Sequence, residues 1–388
     1  MSIFNKPIDR QGTSCYKYDL RRTVFGTDDV VPLWVADMEF EVSETITHAI
    51  QERMKHPIYG YTIRANSLNN AVADWLENMH HWQIKKNWLL YSPGVVPSIA
   101  YCIQAFSSPG DKIIIQPPVY HPFHSSIEEN GRRIAYNPLI IKEGRYAIDF
   151  DHLEKITDEW TKMILFCSPH NPGGTVWKRE ELEQLAEFCV RKNIIIVADE
   201  IHSDLIYPNE THVPISTLSE AVSNITITLN APSKTFNIAG LGASFIVCKN
   251  ESLRNALKNV IQRNHASMIN IFGLTAMEAA YSTGLPWLSE LKGYLLNNRD
   301  FISSYLAQNI PALEFMIPEA TFLFWINFNS LGLTPDQSKK MLIEKAKLGL
   351  NDGRMFGKGG EGWHRLNFGC SREVLENAMN SLNKAIHE

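Results

Sequence analysis

Between residues 88 and 250 the chain alternates short apolar runs with segments whose apolar positions recur every third or fourth residue. The runs at 88–91, 112–116, 133–136, 163–167, 194–198, 225–229 and 243–248 read as strands. Several are apolar at consecutive positions, the mark of strands covered by helices on both faces of a mostly parallel sheet. Leu182, Leu185, Ala186, Cys189 and Val190 define one face of a helix over 179–192. Upstream, Ser43 is placed to cap a helix carrying Ile46, Ala49, Ile50 and Arg53 that stops near Pro57. A second helix presents Leu68, Val72, Trp75, Leu76 and Met79 on one face. Before these, residues 1 to about 40 form an irregular arm that closes on a strand-like run at 30–36. Beyond about 290, long helices alternate with apolar runs at 314–317 and 322–326. The pattern predicts an α/β fold: a large domain with a mostly parallel sheet flanked by helices, and a smaller α+β domain. Residues 1–50 are assigned to the arm and the start of the small domain, 51–285 to the large domain and 286–388 to the C-terminal small domain.

Composition narrows the classes of function. A chain of 388 residues with 44% hydrophobic and 20% charged residues has ample core for two domains and does not read as disordered. A net charge of −5 argues against nucleic acid or an anionic membrane surface as partner. Six cysteines are scattered with no Cys-x-x-Cys, which predicts free thiols in a reducing compartment. The first residues lack the apolar core of a signal peptide, and no run reaches the roughly 20 apolar residues of a membrane span. A cytoplasmic protein is the expectation.

In an open α/β sheet ligands bind beyond the carboxyl ends of the strands, and unusual groups fall there in this sequence. Gly94, Val95 and Val96 open a helix, whose first turn offers unpaired N–H groups and a positive dipole end to a phosphate. Any strand-to-helix turn can look like this. Tyr120 follows two prolines, in a rigid loop that suits either a ring-stacking tyrosine or a merely half-buried one. Asn171 lies in the turn-rich run Ser-Pro-His-Asn-Pro-Gly-Gly-Thr, as an amide donor or as a turn cap. Asp199 closes an apolar strand, where a carboxylate persists only with a partner such as a protonated nitrogen. His202 has no metal-ligand spacing and reads equally as a core histidine; no metal is expected. Lys234, flanked by Ser233 and Thr235 just past a buried strand, is placed where burial favours the neutral amine that attacks an aldehyde. Arg365 sits in an apolar strand-like run and wants a carboxylate, structural or from a substrate.

The order of these elements is more specific than any one of them. With Trp34-Val35-Ala36-Asp37-Met38, Tyr59-Gly60-Tyr61, Asn171 to Trp177, Asp199-Glu200-Ile201-His202, Ala231 to Asn237 and Arg365-Leu366-Asn367, the sequence resembles fold-type I pyridoxal 5'-phosphate (PLP) enzymes over essentially its whole length. Within them it is most similar to the MalY/PatB family of cystathionine β-lyase-type C–S lyases. That resemblance implies that Lys234 carries PLP covalently and that Asp199 pairs with the ring nitrogen. It also implies that Asn171 bonds the phenolic oxygen and Tyr120 stacks on the ring, with His202 beside the cofactor. Ser233 and the backbone at Val95 and Val96 would take the phosphate, and Tyr61 would reach it from a second subunit, which implies a homodimer with shared active sites. Arg365, with Asn171 and Ala36, would hold the substrate.

The implied reaction is β-elimination from L-cystathionine or another L-cysteine S-conjugate, giving a thiol or homocysteine, pyruvate and ammonia. An aminotransferase is the rival. Against it, His202 stands where many aminotransferases carry Tyr, and Gly242 where they carry a phosphate-binding Arg. A regulatory binding role is a third reading, although an intact Lys234 favours catalysis. A Rossmann dehydrogenase is disfavoured, since no Gly-x-Gly-x-x-Gly opens a helix. Phe322, Phe324, Trp325 and Met268 suggest an apolar pocket wall, which predicts a preference for smaller or more hydrophobic S-conjugates.

Overall fold

The computed structural model describes residues 3–388. Seven strands form the main sheet: β1 (Leu89–Ser92), β2 (Lys112–Ile115), β3 (Arg133–Tyr136), β4 (Thr161–Cys167), β5 (Ile195–Asp199), β6 (Thr226–Asn230) and β7 (Ser244–Val247). Their spatial order is β1-β7-β6-β5-β4-β2-β3. Only β7 is antiparallel to its neighbours, so β1, β2, β4, β5 and β6 all end at one edge of the sheet. This is the mostly parallel sheet that the consecutive apolar positions predict.

The central strands are apolar on both faces because each face is covered. On one side Ile113, Ile115, Leu165, Val197, Ile227 and Leu229 pack with Ile99, Cys102 and Ile103 of the helix Val95–Phe106. On the other, Ile164, Phe166 and Ile196 meet Leu182, Leu185, Phe188 and Cys189 of the helix Arg179–Lys192. Burying each large apolar side chain contributes about 1.5–3 kcal/mol. That helix begins with Glu180 and Glu181, ends with Arg191 and Lys192, and stops at Asn193 in the left-handed conformation (φ 54°). Its charges complement the helix dipole at both ends.

A second sheet, of four antiparallel strands, has the spatial order Glu314–Met316, Leu323–Asn327, Trp363–Asn367, Asn351–Asp352. The helices Leu285–Asn309 and Arg372–His387 pack together in the largest apolar cluster, which also takes in this sheet. The arm belongs here too. Val31–Pro32 pairs in parallel with Leu348–Gly349, far along the chain.

Three expectations need correction. The run at 30–36 is a strand only over Val31–Pro32, because the carbonyls beyond it are taken by side chains instead of a ladder. Ser43 does stand before the helix Glu44–Met54, but its hydroxyl pairs with that of Thr45 and caps no backbone N–H. Phe324 and Trp325 form no pocket wall. Both are fully buried, Phe324 against Phe315 and Phe368, and Trp325 stacked on Trp363 with its indole N–H on the Tyr146 hydroxyl. Phe322 is equally buried, while Met268 is 57% exposed.

Candidate active site

Five of the strands that end together, β1, β2, β4, β5 and β6, open onto one cavity, lined by Ala36, Gly94, Val95, Val96, Pro97, Tyr120, Cys167, Asn171, Asp199, Ile201, His202, Ser233 and Lys234. Each comes from a strand end or from the loop or first helical turn after it, apart from Ala36 of the arm. Residues from distant parts of the sequence are thus brought to one place by the shared direction of the strands.

Lys234 lies in the single helical turn Pro232–Thr235 after β6. The turn is pinned by the Thr235 hydroxyl, which donates to the buried Asp204 carboxylate at 2.7 Å. Trp75 and His80 hold the other oxygen of Asp204, at 3.1 and 2.9 Å. The Lys234 amine donates to the carbonyl of Ala36 at 2.7 Å. Burial, helped by the charge of Arg365, lowers its pKa to about 8, with Asp37 and Asp199 opposing. The amine therefore carries a usable free-base fraction near neutral pH.

Asp199 is the last residue of β5 and 4% exposed. Among the described residues its carboxylate accepts one hydrogen bond, from the Ile201 N–H at 3.2 Å. Burial raises its pKa to about 7, against the opposing pull of that bond and of Lys234. A carboxylate so short of partners, opening on a cavity, fits a protonated ring nitrogen. His202 is neutral, its pKa lowered to about 3 by burial, and its Nδ1 has no hydrogen-bond partner among the described residues.

Arg365 is buried with no carboxylate in contact. It donates to Asn171 Oδ1 at 2.9 Å, the Trp34 carbonyl at 2.9 Å and Asn351 Oδ1 at 2.7 Å, and its Nε has no partner among the described residues. Burial lowers its pKa to about 10, and its guanidinium lies 5.0 Å from the centre of the Phe356 ring. A buried guanidinium held only by neutral groups is a ready receptor for a carboxylate.

Arg365 is not itself in the cavity lining and meets it through Asn171. Within the lining, Gly94 precedes the helix Val95–Phe106, and the Val95 and Val96 N–H groups fall in its first turn, where no intrahelical acceptor exists. With the Ser233 side chain nearby in the lining, they make an anion site. Tyr120 is half-buried in the lining, its ring edge-on to His121 at 5.2 Å, and burial with the charge of Asp199 raises its pKa. Tyr61 is 96% exposed and lies outside this cavity of the single chain.

The family model for class I and II aminotransferases matches residues 28–382. The cystathionine beta-lyase PatB of Bacillus subtilis (strain 168) is 42% identical over 384 residues, 99% of each chain. Protein MalY of Escherichia coli (strain K12) is 33% identical, covering 100% of this chain and 99% of its own. This chain belongs to that aminotransferase family, in the branch of PatB and MalY. Among solved structures, the PLP-bound putative aminotransferase from Clostridium difficile 630 superposes with a TM-score of 0.97 at 39% identity, covering 99% of both chains.

The residues present fit the group bound in that neighbour. The cavity offers an amine, a partner-poor carboxylate, an unpaired helix N-terminus and a tyrosine ring. Two residues placed against the site have no role in the sequence reading. Asp204 anchors the turn of Lys234, and Asn367 binds the arm beside Ala36. In the sequence Asp204 is one of several polar residues after Asp199, and Asn367 appears only as the last residue of the motif Arg365-Leu366-Asn367.

Proposed function

We propose that this protein is a PLP-dependent C–S lyase that catalyses β-elimination on L-cystathionine or a related L-cysteine S-conjugate. A thioether and water become a thiol, pyruvate and ammonia; with cystathionine the thiol is homocysteine. One observation carries the reading. A lysine with a depressed pKa, a carboxylate without a cationic partner in contact and the strand-end loops around them share one cavity. Relatives named for cystathionine beta-lyase activity match the whole chain.

Bound in this cavity, PLP supplies an electron-accepting ring that stabilises the charge left when a substrate's Cα proton departs. Lys234 would hold the cofactor through Nζ, and its amine, when free, would be the base placed to take the substrate's Cα proton. Asp199 would be the partner of a protonated ring nitrogen. Asn171 would offer its amide N–H to the phenolic oxygen, its Oδ1 being taken by Arg365. Arg365 grips the α-carboxylate and so orients the Cα–H bond toward the lysine. Tyr120 would pack against the ring, with the neutral His202 also in the lining. Ser233 and the Val95 and Val96 N–H groups would hold the phosphate, and Ala36 would offer its carbonyl on the substrate side.

We further propose a homodimer in which Tyr61 of each chain completes the partner's phosphate site. Its near-complete exposure in the single chain supports this. Residues 51–285 are taken as the cofactor-binding domain, 1–50 and 286–388 as the arm and small domain. Six buried cysteines without a disulfide support a cytoplasmic setting. Among the described residues no helix is long and apolar enough to cross a membrane.

The purified protein loaded with PLP is expected to release pyruvate from L-cystathionine or an S-alkyl-cysteine without any keto acid. Amino transfer to a keto acid that outpaces pyruvate release would overturn the lyase reading.

A further inference from the structure

We propose that Asn367 is a positioning residue for this reaction: its side-chain amide clamps the carbonyls of Val35 and Asp37, and so fixes the carbonyl between them, that of Ala36, as the dock for the Lys234 amine. The proposal rests on the lyase reading and adds a residue to it.

The geometry is closed on every side. Asn367 Nδ2 donates to Val35 O at 2.5 Å and to Asp37 O at 2.6 Å, while its Oδ1 accepts from the Gly369 N–H at 2.8 Å. Both amide protons and the amide oxygen are thereby used, so the side chain has one orientation. The residue is 1% exposed. Its own backbone N–H donates to Leu33 O at 2.9 Å, and Glu39 N–H returns to Gly369 O at 2.7 Å, which lays the arm along the end of the strand Trp363–Asn367. Gly369 permits the approach, since a Cβ there would stand 2.6 Å from Met38 Cγ.

Between residues 34 and 37 the arm makes no strand ladder, so side chains alone set the direction of its carbonyls. Trp34 O accepts from Arg365 at 2.9 Å and Ala36 O accepts from Lys234 at 2.7 Å. The residue that should grip the substrate carboxylate and the one that should take its proton thus lean on the same four-residue strip. Lysine has a long flexible stem, and donation to one fixed carbonyl limits where its lone pair can point. Removing the clamp leaves Val35 O without a donor among the described residues and Asp37 O with only the Lys17 amine, at 3.1 Å, so the peptides on either side of Ala36 are held less firmly. Misplacement of a reacting group by about 1 Å costs roughly a hundredfold in rate.

The test compares Asn367→Leu, close in shape but without donors, with Asn298→Leu in the PLP-loaded protein. Asn298 is an equally buried amide that donates to Phe368 O at 3.2 Å and Cys370 O at 2.9 Å and, among the described residues, makes no hydrogen bond to residues 34–37. Asn367→Leu is expected to lower kcat by roughly tenfold to a hundredfold with KM changed less than about threefold. It should also move the pH midpoint of the visible absorbance band by about one unit, a readout independent of turnover. Asn298→Leu should leave that midpoint in place. A wild-type midpoint and kcat in Asn367→Leu, or an equal shift in both variants, would overturn the proposal. Should Asn367→Leu not fold, Asn367→Ser removes the same donors in a smaller side chain and is read by the same criteria. Wild-type protein without a band or pyruvate release would instead count against the lyase reading itself.

Discussion

The guanidinium of Arg365 donates to Asn171 Oδ1 at 2.9 Å across 194 residues of sequence. This bond joins the four-stranded sheet to the turn after β4, and it uses the amide oxygen of Asn171, a residue of the cavity lining, but not its amide N–H groups. Because no carboxylate touches Arg365, its charge is available to an incoming anion. Arg365→Ala is expected to lower kcat/KM for a cysteine S-conjugate by roughly a hundredfold or more, the scale of losing one side of a buried charge pair. Arg365→Lys should recover little of this, as a point charge lacks the two-pronged geometry. PLP content, read from absorbance, should stay near wild type in both. Loss of PLP in parallel with activity would mean that Arg365 holds the site together and does not grip substrate.

Asp199 gives a pH-dependent prediction. Without cofactor its carboxyl titrates near 7 in the folded chain, and near 4 when unfolded, the ordinary value. Between those values the folded state holds the extra proton, so this group's contribution to stability falls as pH rises from about 4 to about 7. Asp199→Asn removes that slope. The variant's thermal midpoint, free of PLP, should gain on wild type more at about pH 8 than at about pH 4.5. Its PLP-loaded activity should drop by roughly a hundredfold or more, as expected when a buried stabilising charge is removed. A difference in midpoint that does not change with pH would contradict the assignment.

Tyr61 supplies a test of the shared site. Lys234→Ala and Tyr61→Ala are each expected to be nearly inactive alone. In a mixed dimer one site would combine an intact Lys234 with an intact Tyr61 from the other chain. Random exchange of subunits should then restore about a quarter of wild-type activity. No recovery after confirmed exchange would place Tyr61 outside the partner's site.

Much of this was legible in the sequence, for physical reasons. Strands covered on both faces must be apolar at consecutive positions, and six of the seven runs assigned to the sheet match the observed strands to within one residue at each end; the seventh strand, β4, starts two residues before its run. The helix Arg179–Lys192 was legible to the residue because its apolar face and its terminal charges agree. The convergence of Lys234, Asp199, Asn171 and Val95 follows from strand ends sharing one edge. The failures are also physical. Apolar runs do not say which way they face, so Phe324 and Trp325, buried in the core, read like a pocket wall. The run at 30–36 looked like a strand, but Asn367, Arg365 and Lys234 reach across more than 190 residues for its carbonyls, and local pattern carries no trace of such partners. Asn367 is visible in the sequence as the end of the motif Arg365-Leu366-Asn367, with nothing to say which carbonyls it holds.

The amine of Lys234 is the group on which the account turns, and its attachment to PLP can be read directly. Protein incubated with PLP and freed of excess should absorb in the visible and lose that band on borohydride treatment, with the cofactor then fixed to the peptide containing Lys234. Lys234→Ala should take up no colour that survives gel filtration. A colourless wild-type protein, or a Lys234→Ala variant with the same band, would contradict the account.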